Sequence, residues 1–550
     1  MSIKNSSKGK KKATREQKIL VKNSFYSFMH HYGNFFFSLI TALIIARVIS
    51  QEEWGFLILA LSLIGFFTII LAFLPPGLGL SLIYYVSRFK ALNQNTKLRS
   101  FARNTIILRI LFVIPIFFLS ILIFTIFVEF FKINLKENFY LFYLLVPLII
   151  INGLGHILAD LTRALNMFNI NLLLLIIKNV IYIGGLLYLF FYIESIKVNY
   201  IAVIIIFSSV IPFTINCFII FLKFQFSIKK SEEEGESFKE CVKMVYKYGS
   251  YLSIIDVLST FSIEIKTQMV GIYEITGMVT GYHIAKRYNS VSGAAISPLS
   301  RPLSISLTRL YSKEQFHQIQ KLYNRVFNYS LLLFLLATGF LFFIADLFLY
   351  LIYGEPYLIY SLLVKLSLIS IIFNIQDSFL ASFLLASNKV KILSVIALVF
   401  GPLQLAFFAF GLIFFGIIGS VVFSLIANII TLISYTIIFH KFNIKLDVKK
   451  PILLFSIFLI SLFGTLILET IMLKDIYLSI LKNLHLLIFQ YFNPLSLGVF
   501  LFSFIILNIT FKVITISDIE VLESFFIRDS LPHKMIRKSL SFSKKFLIRT

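Results

Sequence analysis

Charge is scarce in this chain. Asp, Glu, Lys and Arg make up 14% of its 550 residues, against about 25% in a soluble protein. Hydrophobic residues make up 58%, and the mean hydropathy is +0.90. Together these exclude an ordinary soluble enzyme and leave a polytopic membrane protein. Cysteine is nearly missing. Cys217 and Cys241 are the two present, which excludes a disulfide framework and a multi-cysteine metal site. Acidic residues are the scarcer charge, 26 against 51 Lys and Arg, for a formal net charge of +25. In a membrane chain, topology signals and attraction to anionic lipid account for that excess, so no nucleic-acid partner is expected. The sequence also lacks a Walker-type phosphate loop, a metal-spaced His/Asp/Glu cluster and a Ser-His-Asp grouping. No ATP consumption, metal or cofactor is expected. The longest loops hold about 20–25 residues, too few for a soluble core. No cleavable signal peptide is read, because a lysine-rich arm leads into an apolar stretch of membrane length.

Long apolar runs, by contrast, are abundant. A crossing helix needs about 20 largely apolar residues. Such runs place helices near 24–47, 55–87, 105–131, 139–162, 170–193, 199–222, 247–271, 277–300, 326–352, 358–386, 391–414, 416–440, 452–472 and 494–515. The expected fold class is therefore all-α and integral to the membrane, with about fourteen crossings. The second run is interrupted by Pro75-Pro76-Gly77. There the missing backbone donors and a flexible glycine predict a kink or unwound turn with a gating role.

The eighth run, GMVTGYHIAKRYNSVSGAAISPLS, is membrane-length but polar, with Lys286 and Arg287 adjacent near its middle. Each cation at the centre of a spanning helix costs about 2.5–3.5 kcal/mol on insertion scales. Loop charge decides whether this segment spans. With the N-terminus inside, 39 of the 51 Lys and Arg fall on the inner side and five outside, the rest lying within or at the ends of spans. If 277–300 did not cross, 19 of those positive charges would move outside, against the positive-inside bias. The segment is therefore read as spanning, with both termini cytoplasmic and the protein multi-pass in the plasma membrane.

Two six-helix halves in the same orientation, followed by an extra pair, organise the chain. Both halves carry a basic cytoplasmic loop after their second helix, at 87–104 and 308–325. Arg88 and Arg309 are 221 apart, and the endings Ala164–Asn166 and Ala386–Asn388 are 222 apart. In the second loop Phe316, Ile319, Tyr323, Val326 and Phe327 share a helical face, which predicts a helix lying along the inner interface. The organisation read is a basic arm (1–23), an N-lobe of helices 1–6 (24–222) and a cytoplasmic linker (223–246). A C-lobe of helices 7–12 (247–440), helices 13–14 (441–515) and a basic amphipathic tail (516–550) complete it. A parallel repeat around a central cavity is a transporter arrangement, since two similar lobes can rock against each other.

Ionisable residues inside spans are the candidate site. In the seventh helix Asp256, Thr260 and Glu264 share roughly one face, with Lys266 just beyond. Either carboxylate could bind a proton or cation, or balance neighbouring cations. Alternatively, Glu264 or Asp256 could pair internally with Lys266, Lys286 or Arg287 and tie two helices together. Arg47, at the end of the first helix, could face the cavity or snorkel to the outer interface. His30 and His31 lie in the same helix's inner portion. Asp160 and Arg163, three apart, predict a local ion pair that His156, one turn away, could join. Asp377 is an isolated carboxylate near mid-membrane. Asp346 and Glu469 lie nearer outer ends, where water could solvate them. Asp256, Glu264, Asp377 and Asp160 are thus the candidates for coupling or charge balance.

Several motifs resemble a known group. They include Gly281-Tyr282-x-x-Ala285 in a polar eighth helix running to Pro298, and the opening ARVIS, Gln51-Glu52-Glu53-Trp54-Gly55, then Gly77-Leu-Gly79-Leu and a Tyr-Tyr-Val-Ser-Arg turn. Ile352-Tyr353-Gly354-Glu355-Pro356-Tyr357 and Gly416-Ile-Ile-Gly419 continue the series. Over about residues 20–440 these look like the polysaccharide-biosynthesis flippases of the MOP superfamily, related to lipid II flippases. The resemblance implies two lobes around a V-shaped cavity with alternating access, translocating polyprenyl-linked sugars. In the lipid II branch, arginines of the first and eighth helices meet the diphosphate. Arg287 and Lys286 match the eighth-helix position, and Arg47 is a looser match in the first. In that branch the last two helices form a groove for the lipid tail. The chain departs from the cation-coupled drug antiporters of the superfamily, whose first helix carries a carboxylate that 24–47 lacks.

The expected function is a flippase moving a polyprenyl-(di)phosphate-linked oligosaccharide to the outer leaflet. Arg287, Lys286, Lys266 and Arg47 would supply the cationic cavity. Expected partners are that substrate, membrane lipids, glycan-assembly proteins and a coupling cation or proton. The alternatives are a cation-coupled antiporter of drugs or small molecules, using Asp256 and Glu264, and a membrane-embedded glycosyltransferase or polymerase.

Overall fold

A computed structural model describes residues 25–26, 29–30, 32–131, 139–193, 196–227, 235–294, 307, 310–311, 314–387, 389–441, 449–473, 491–511 and 513. The arm 1–23, His31, Pro298, Arg309, Asn388, most of the loop before Phe316 and the tail 516–550 lie outside the described residues, as do the side chains of Asp256 and Asp377. Helices, with no strand, carry the described residues.

The first half comprises α1 (Tyr32–Val48), α2 (Gln51–Phe73), α3 (Leu78–Ala91), α4 (Asn95–Phe131), α5 (Phe139–Leu145), α6 (Pro147–Ala164), α7 (Phe168–Tyr192) and α8 (Val198–Leu222). Helix α2 starts where Ser50 caps it: the Ser50 hydroxyl accepts from Glu53 N–H, and the Glu53 carboxylate accepts from Ser50 N–H, two orphan donors satisfied reciprocally. It stops at the Pro75-Pro76 pair. Leu74 is extended, the Leu74–Pro75 bond is cis, and Gly77 at φ 65° turns the chain into α3. The sequence-read kink is thus a complete break.

The second half follows with α9 (Phe238–Tyr273), α10 (Thr276–Ala294), α11 (Phe316–Ile352), α12 (Ser361–Ile371), α13 (Ile375–Ala386) and α14 (Val390–Lys441), then α15 (Lys449–Leu468) and α16 (Pro494–Thr510). The long α14 contains Gly416 at φ 67°, ψ −167°. A Cβ on Gly411 would meet the Gly419 carbonyl carbon at 2.7 Å. Residues eight apart in a continuous helix are about 12 Å apart, so the chain reverses at Gly416 and α14 is a helical hairpin. The Glu274 carboxylate accepts from Ile417 N–H at 2.6 Å, capping the second arm.

Helix ends repeat at the spacing seen in the sequence. Helices α4 and α11 are both 37 residues long, 221 apart at each end, and α5 and α12 start 222 apart, as do α7 and α14. The turns repeat too. Gln94 N–H donates to Phe89 O at 2.9 Å, and Gln315 N–H to Leu310 O at 3.1 Å. Met167 N–H to Thr162 O and Lys389 N–H to Leu384 O are both 2.8 Å. These are the six-to-one bonds of Schellman caps, and Asn93, Asn166 and Glu314 hold their left-handed positions at φ 59°, 61° and 55°.

Three local expectations change. The segment 316–327 does not lie apart as an interfacial helix. It is the first three turns of α11, and Ile319, Tyr323 and Phe327 are buried against protein, with Tyr323 and Phe327 edge-on to Phe379. The basic loop 87–104 is almost all helix, with a tight turn around Asn93. Helix α9 starts at Phe238, before the expected 247, because Ser237 and Glu240 form another capping box. Hydrogen bonds from the Ser237 backbone and hydroxyl hold the Glu240 carboxyl below the usual carboxylate range. Cys241 is consequently buried in a cluster with Leu82, Phe101, Leu161 and Val245, and burial pushes its thiol up to about 11, leaving it an inert apolar side chain.

The described residues form two compact units. The first comprises those up to His283 with Ile352–Gly354 and Val390–Ser420. The second comprises Ile284–Leu351, Glu355–Lys389 and those from Val421 onward. Within the first, α2 and α3 run antiparallel to α9 along a seam of glycines. A Cβ on Gly271 would press on Leu59, one on Gly65 would meet the Glu264 carboxyl at 3.1 Å, and Gly77 and Gly249 touch backbone to backbone. Phe66 and Phe261 pack as tilted rings between these points, centroids 5.3 Å apart. Within the second unit, Phe500 of α16 fills the space left by Gly339 of α11 and packs on Phe343 and Phe458, which fixes the final helix pair to α11.

Candidate functional site

Helix α10 has two unlike faces. Gly277, Gly281, Ile284, Ala285, Tyr288 and Ser292 form a helical stripe that is buried in protein. Thr280 donates to Gln51 O at 2.7 Å, and the Tyr288 hydroxyl donates to Leu341 O at 2.7 Å. The opposite stripe, at the i, i+3, i+4, i+7 spacing of one helix face, is His283, Lys286, Arg287 and Ser290. Lys286 and Ser290 are exposed, and His283 and Arg287 half-buried. The 19 residues of α10 rise about 28 Å, close to a hydrocarbon core of about 30 Å. The two cations expected to line a cavity therefore stand together on the accessible side of a membrane-length helix.

Helix α9 presents a second polar face. The Glu264 carboxylate lies against Gly65, and its backbone carbonyl accepts from Ser62 at 3.3 Å. Among the described residues Glu264 forms no ion pair. Two residues on, Lys266 is half-buried with Nζ 5.4 Å from the Phe408 ring centroid, a cation–π arrangement. Tyr282 packs on the same ring at 5.8 Å. Gln268 donates to Leu59 O at 2.9 Å and fixes the rotation of α9 against α2.

The remaining candidates occupy other places. Arg47 is exposed and Nη1 donates to Leu43 O and to Ile352 O, both at 3.0 Å. It thus caps the last turns of α1 and α11, where a cation meets the negative end of each helix dipole. Asp160 pairs with Arg163 at 3.0 Å, and His156 is within electrostatic reach of Arg163 and Arg109. Asp160 also lies against Gly79, just past the Pro75, Pro76, Gly77 break. Among the described residues no three His, Cys, Asp or Glu gather as for a metal ion.

Asp346 is not merely solvated. Its Oδ2 pairs with Lys365 Nζ at 2.6 Å, its Oδ1 accepts from the Ser361 hydroxyl, and Lys365 lies 5.8 Å from the Phe342 ring centroid. This pair joins α11 to α12. Replacing Lys365 by Met is expected to lower stability by about 1–3 kcal/mol, because the carboxylate loses its counter-ion in a half-buried setting. The Lys365→Met/Asp346→Asn pair should recover part of that loss. A double-mutant cycle on thermal unfolding in detergent checks it, and additive single losses would contradict the coupling.

Two residue sets escaped the sequence reading. His283 and Ser290 were signalled by their helical spacing from Lys286 and Arg287. Arg109 is buried, and its Nη1 donates to the carbonyls of Leu71 and Leu74 at the broken helix. Its signal was Pro75, which cannot donate to the residue four before it.

Among the described residues nine helices are long and apolar enough to cross a membrane. The architecture places the chain in a class: it shares its fold with MOP superfamily transporters. A multidrug resistance MATE family transporter of that superfamily, in its inward-facing conformation, superposes with TM-score 0.64 at 13% identity, over 74% of this chain and 93% of that one. The lipid II flippase MurJ, inward closed, superposes with TM-score 0.64 at 14% identity, over 88% and 98%. A MOP superfamily transporter from Pyrococcus furiosus, whose reverse-polarity binding pocket suggests a different function, gives 0.55 at 13%, over 76% and 94%. At these identities the likeness is one of fold. A family profile described as polysaccharide biosynthesis protein matches residues 20–301, just over half the chain. The chain belongs to that family, and is a multi-pass membrane protein. No curated protein matches the sequence.

Proposed function

We propose that the protein is a flippase carrying a polyprenyl-(di)phosphate-linked oligosaccharide from the cytoplasmic to the outer leaflet by alternating access, for assembly of surface glycan. The observation that carries this is the stripe of His283, Lys286, Arg287 and Ser290 on the accessible face of α10. On a spanning helix two cations facing lipid are too costly to persist, so in this reading the exposed stripe lines a water-filled cavity, whose natural occupant is an anion. Diphosphate fits because Arg offers a planar fork of donors and Lys a mobile charge, both strengthened away from bulk water. Lys266, beside the Phe408 ring, is a further candidate contact for the substrate, while Arg47 serves as an end cap.

In this reading eight of the nine long apolar helices, the two arms of the ninth (α14), the shorter α1 and α16, and the polar α9 and α10 make fourteen crossings. The termini are cytoplasmic and the membrane is the plasma membrane. The halves 24–222 and 247–440 act as rocking lobes, and α15 and α16 guide the prenyl tail. Glu264 favours a second reading, cation-coupled export of small molecules, because its carboxylate has no ion-pair partner among the described residues. Ligand-dependent stability separates the two. A ligand at 100 times its Kd stabilises by about 2.7 kcal/mol, so a polyprenyl-diphosphate saccharide should raise the melting temperature of the purified protein. Quaternary ammonium drugs should not, and the reverse pattern would replace the flippase reading with the exporter.

A further inference from the structure

The break between α2 and α3 carries an inference independent of the proposed substrate. Where a membrane helix is interrupted, freed carbonyls and dipole ends become binding groups, and in many transporters they hold a monovalent cation. Here Pro75 has no N–H, so the Leu71 carbonyl loses its helical donor. Leu74 adopts extended geometry at φ −116°, ψ 102°, and its carbonyl leaves the helical ladder. Both carbonyls stand at the negative end of α2. Arg109 of α4 is 5% exposed and reaches both through the same nitrogen, Nη1, the Leu74 contact being 3.5 Å.

The guanidinium is otherwise underused. Its Nε–H is buried with no hydrogen-bond acceptor. A residue selected for bidentate recognition would use that fork, whereas this one contributes a positive charge and one nitrogen. On the far side of the break α3 begins at Gly77 without a side-chain cap. The Asp160 carboxylate lies against Gly79 in that first turn and is within electrostatic reach of Arg109. Each dipole end of the interrupted helix is thus matched by a charge of opposite sign, and Asp160, held in place by its ion pair with Arg163, acts on Arg109 at longer range. Two carbonyl oxygens with a nearby carboxylate are also what an alkali cation uses, all hard oxygen donors.

We propose that Arg109 is a tethered cation filling a monovalent-cation site formed by the Leu71 and Leu74 carbonyls with Asp160 as counter-charge. The joint therefore stays closed without a dissociable ion, and removing the side chain exposes a site for free sodium or potassium.

The test uses the full chain purified in lipid nanodiscs, melted in sodium, potassium or N-methylglucamine chloride at equal ionic strength. Wild type sets the background increment from any other cation site. Arg109→Ala should melt lower than wild type in N-methylglucamine, and sodium or potassium should raise it saturably, by about 5 °C beyond the wild-type increment. Arg109→Lys, a tethered ammonium, should show only the wild-type increment. Arg109→Ala/Asp160→Asn should lose the rescue. Equal increments in Arg109→Ala and wild type would overturn the proposal. So would an Arg109→Ala protein that fails to accumulate at all, or an Arg109→Lys protein as unstable as Arg109→Ala.

Discussion

Replacing Arg287 by Ala is expected to cut surface glycan by at least about tenfold while membrane levels of the protein stay unchanged. A hydrogen bond to a charged group contributes about 1.5–3 kcal/mol, and 1.4 kcal/mol is already tenfold in binding. Arg287 is half-buried on the accessible stripe of α10, and the packing of that helix rests on the opposite face. Truncation therefore removes the charge without opening a core cavity. Arg287→Lys should fall between, since it keeps the charge and loses the planar fork. Lys286→Ala, at the more exposed position, should cost less. Glycan at the cell surface and protein in the membrane fraction are the two readouts. Normal glycan from Arg287→Ala would remove the cation stripe from the account.

The glycine seam should be as sensitive, through stability. Gly249→Ala would place its Cβ 2.8 Å from the Gly77 Cα and against the Pro76 carbonyl, so backbone must move. Overpacking of that kind costs about 1–3 kcal/mol. Gly77→Ala adds about 1–2 kcal/mol for a left-handed alanine, since Gly77 sits at φ 65°. Gly464→Ala in α15 is the contrast, because nothing lies within 4 Å of its new Cβ. Alanine in place of a helical glycine there should stabilise by about 0.5–1 kcal/mol. Melting temperatures in detergent give the comparison. A Gly249→Ala protein as stable as Gly464→Ala would show that the seam is not tightly closed.

Membrane burial writes a strong local signal, and what it dictates was readable in the sequence. Run length gave the order of apolar helices, and the Pro-Pro-Gly stretch gave the break in α2. The spacing of Asp160 and Arg163 gave their ion pair, now 3.0 Å. The polarity of α10 singled out Lys286 and Arg287. Partners set by tertiary contact were not readable. Arg109 and Leu71 are 38 residues apart, and only the folded chain brings the guanidinium to the carbonyl that Pro75 leaves without a donor. Lys365 and Asp346 meet across two helices, and Arg47 finds the Ile352 carbonyl 305 residues away. Polar helices were also easy to misplace. Apolar periodicity cannot separate an interfacial helix from the buried first turns of a longer one, and 316–327, the start of α11, carries the same pattern as either. Capping boxes at short range were legible in principle. Ser237 and Glu240 mark the start of α9 nine residues before its apolar run.

Translocation of a lipid-linked saccharide is read out by a leaflet assay. The full chain is reconstituted into proteoliposomes with a fluorescent polyprenyl-diphosphate oligosaccharide, and an impermeant quencher reports which leaflet holds it. Wild-type protein should make the inner-leaflet pool accessible within minutes, and Arg287→Ala proteoliposomes should match protein-free vesicles. Accessibility that never exceeds the protein-free level, with an organic cation transported by the same vesicles, would contradict the flippase account.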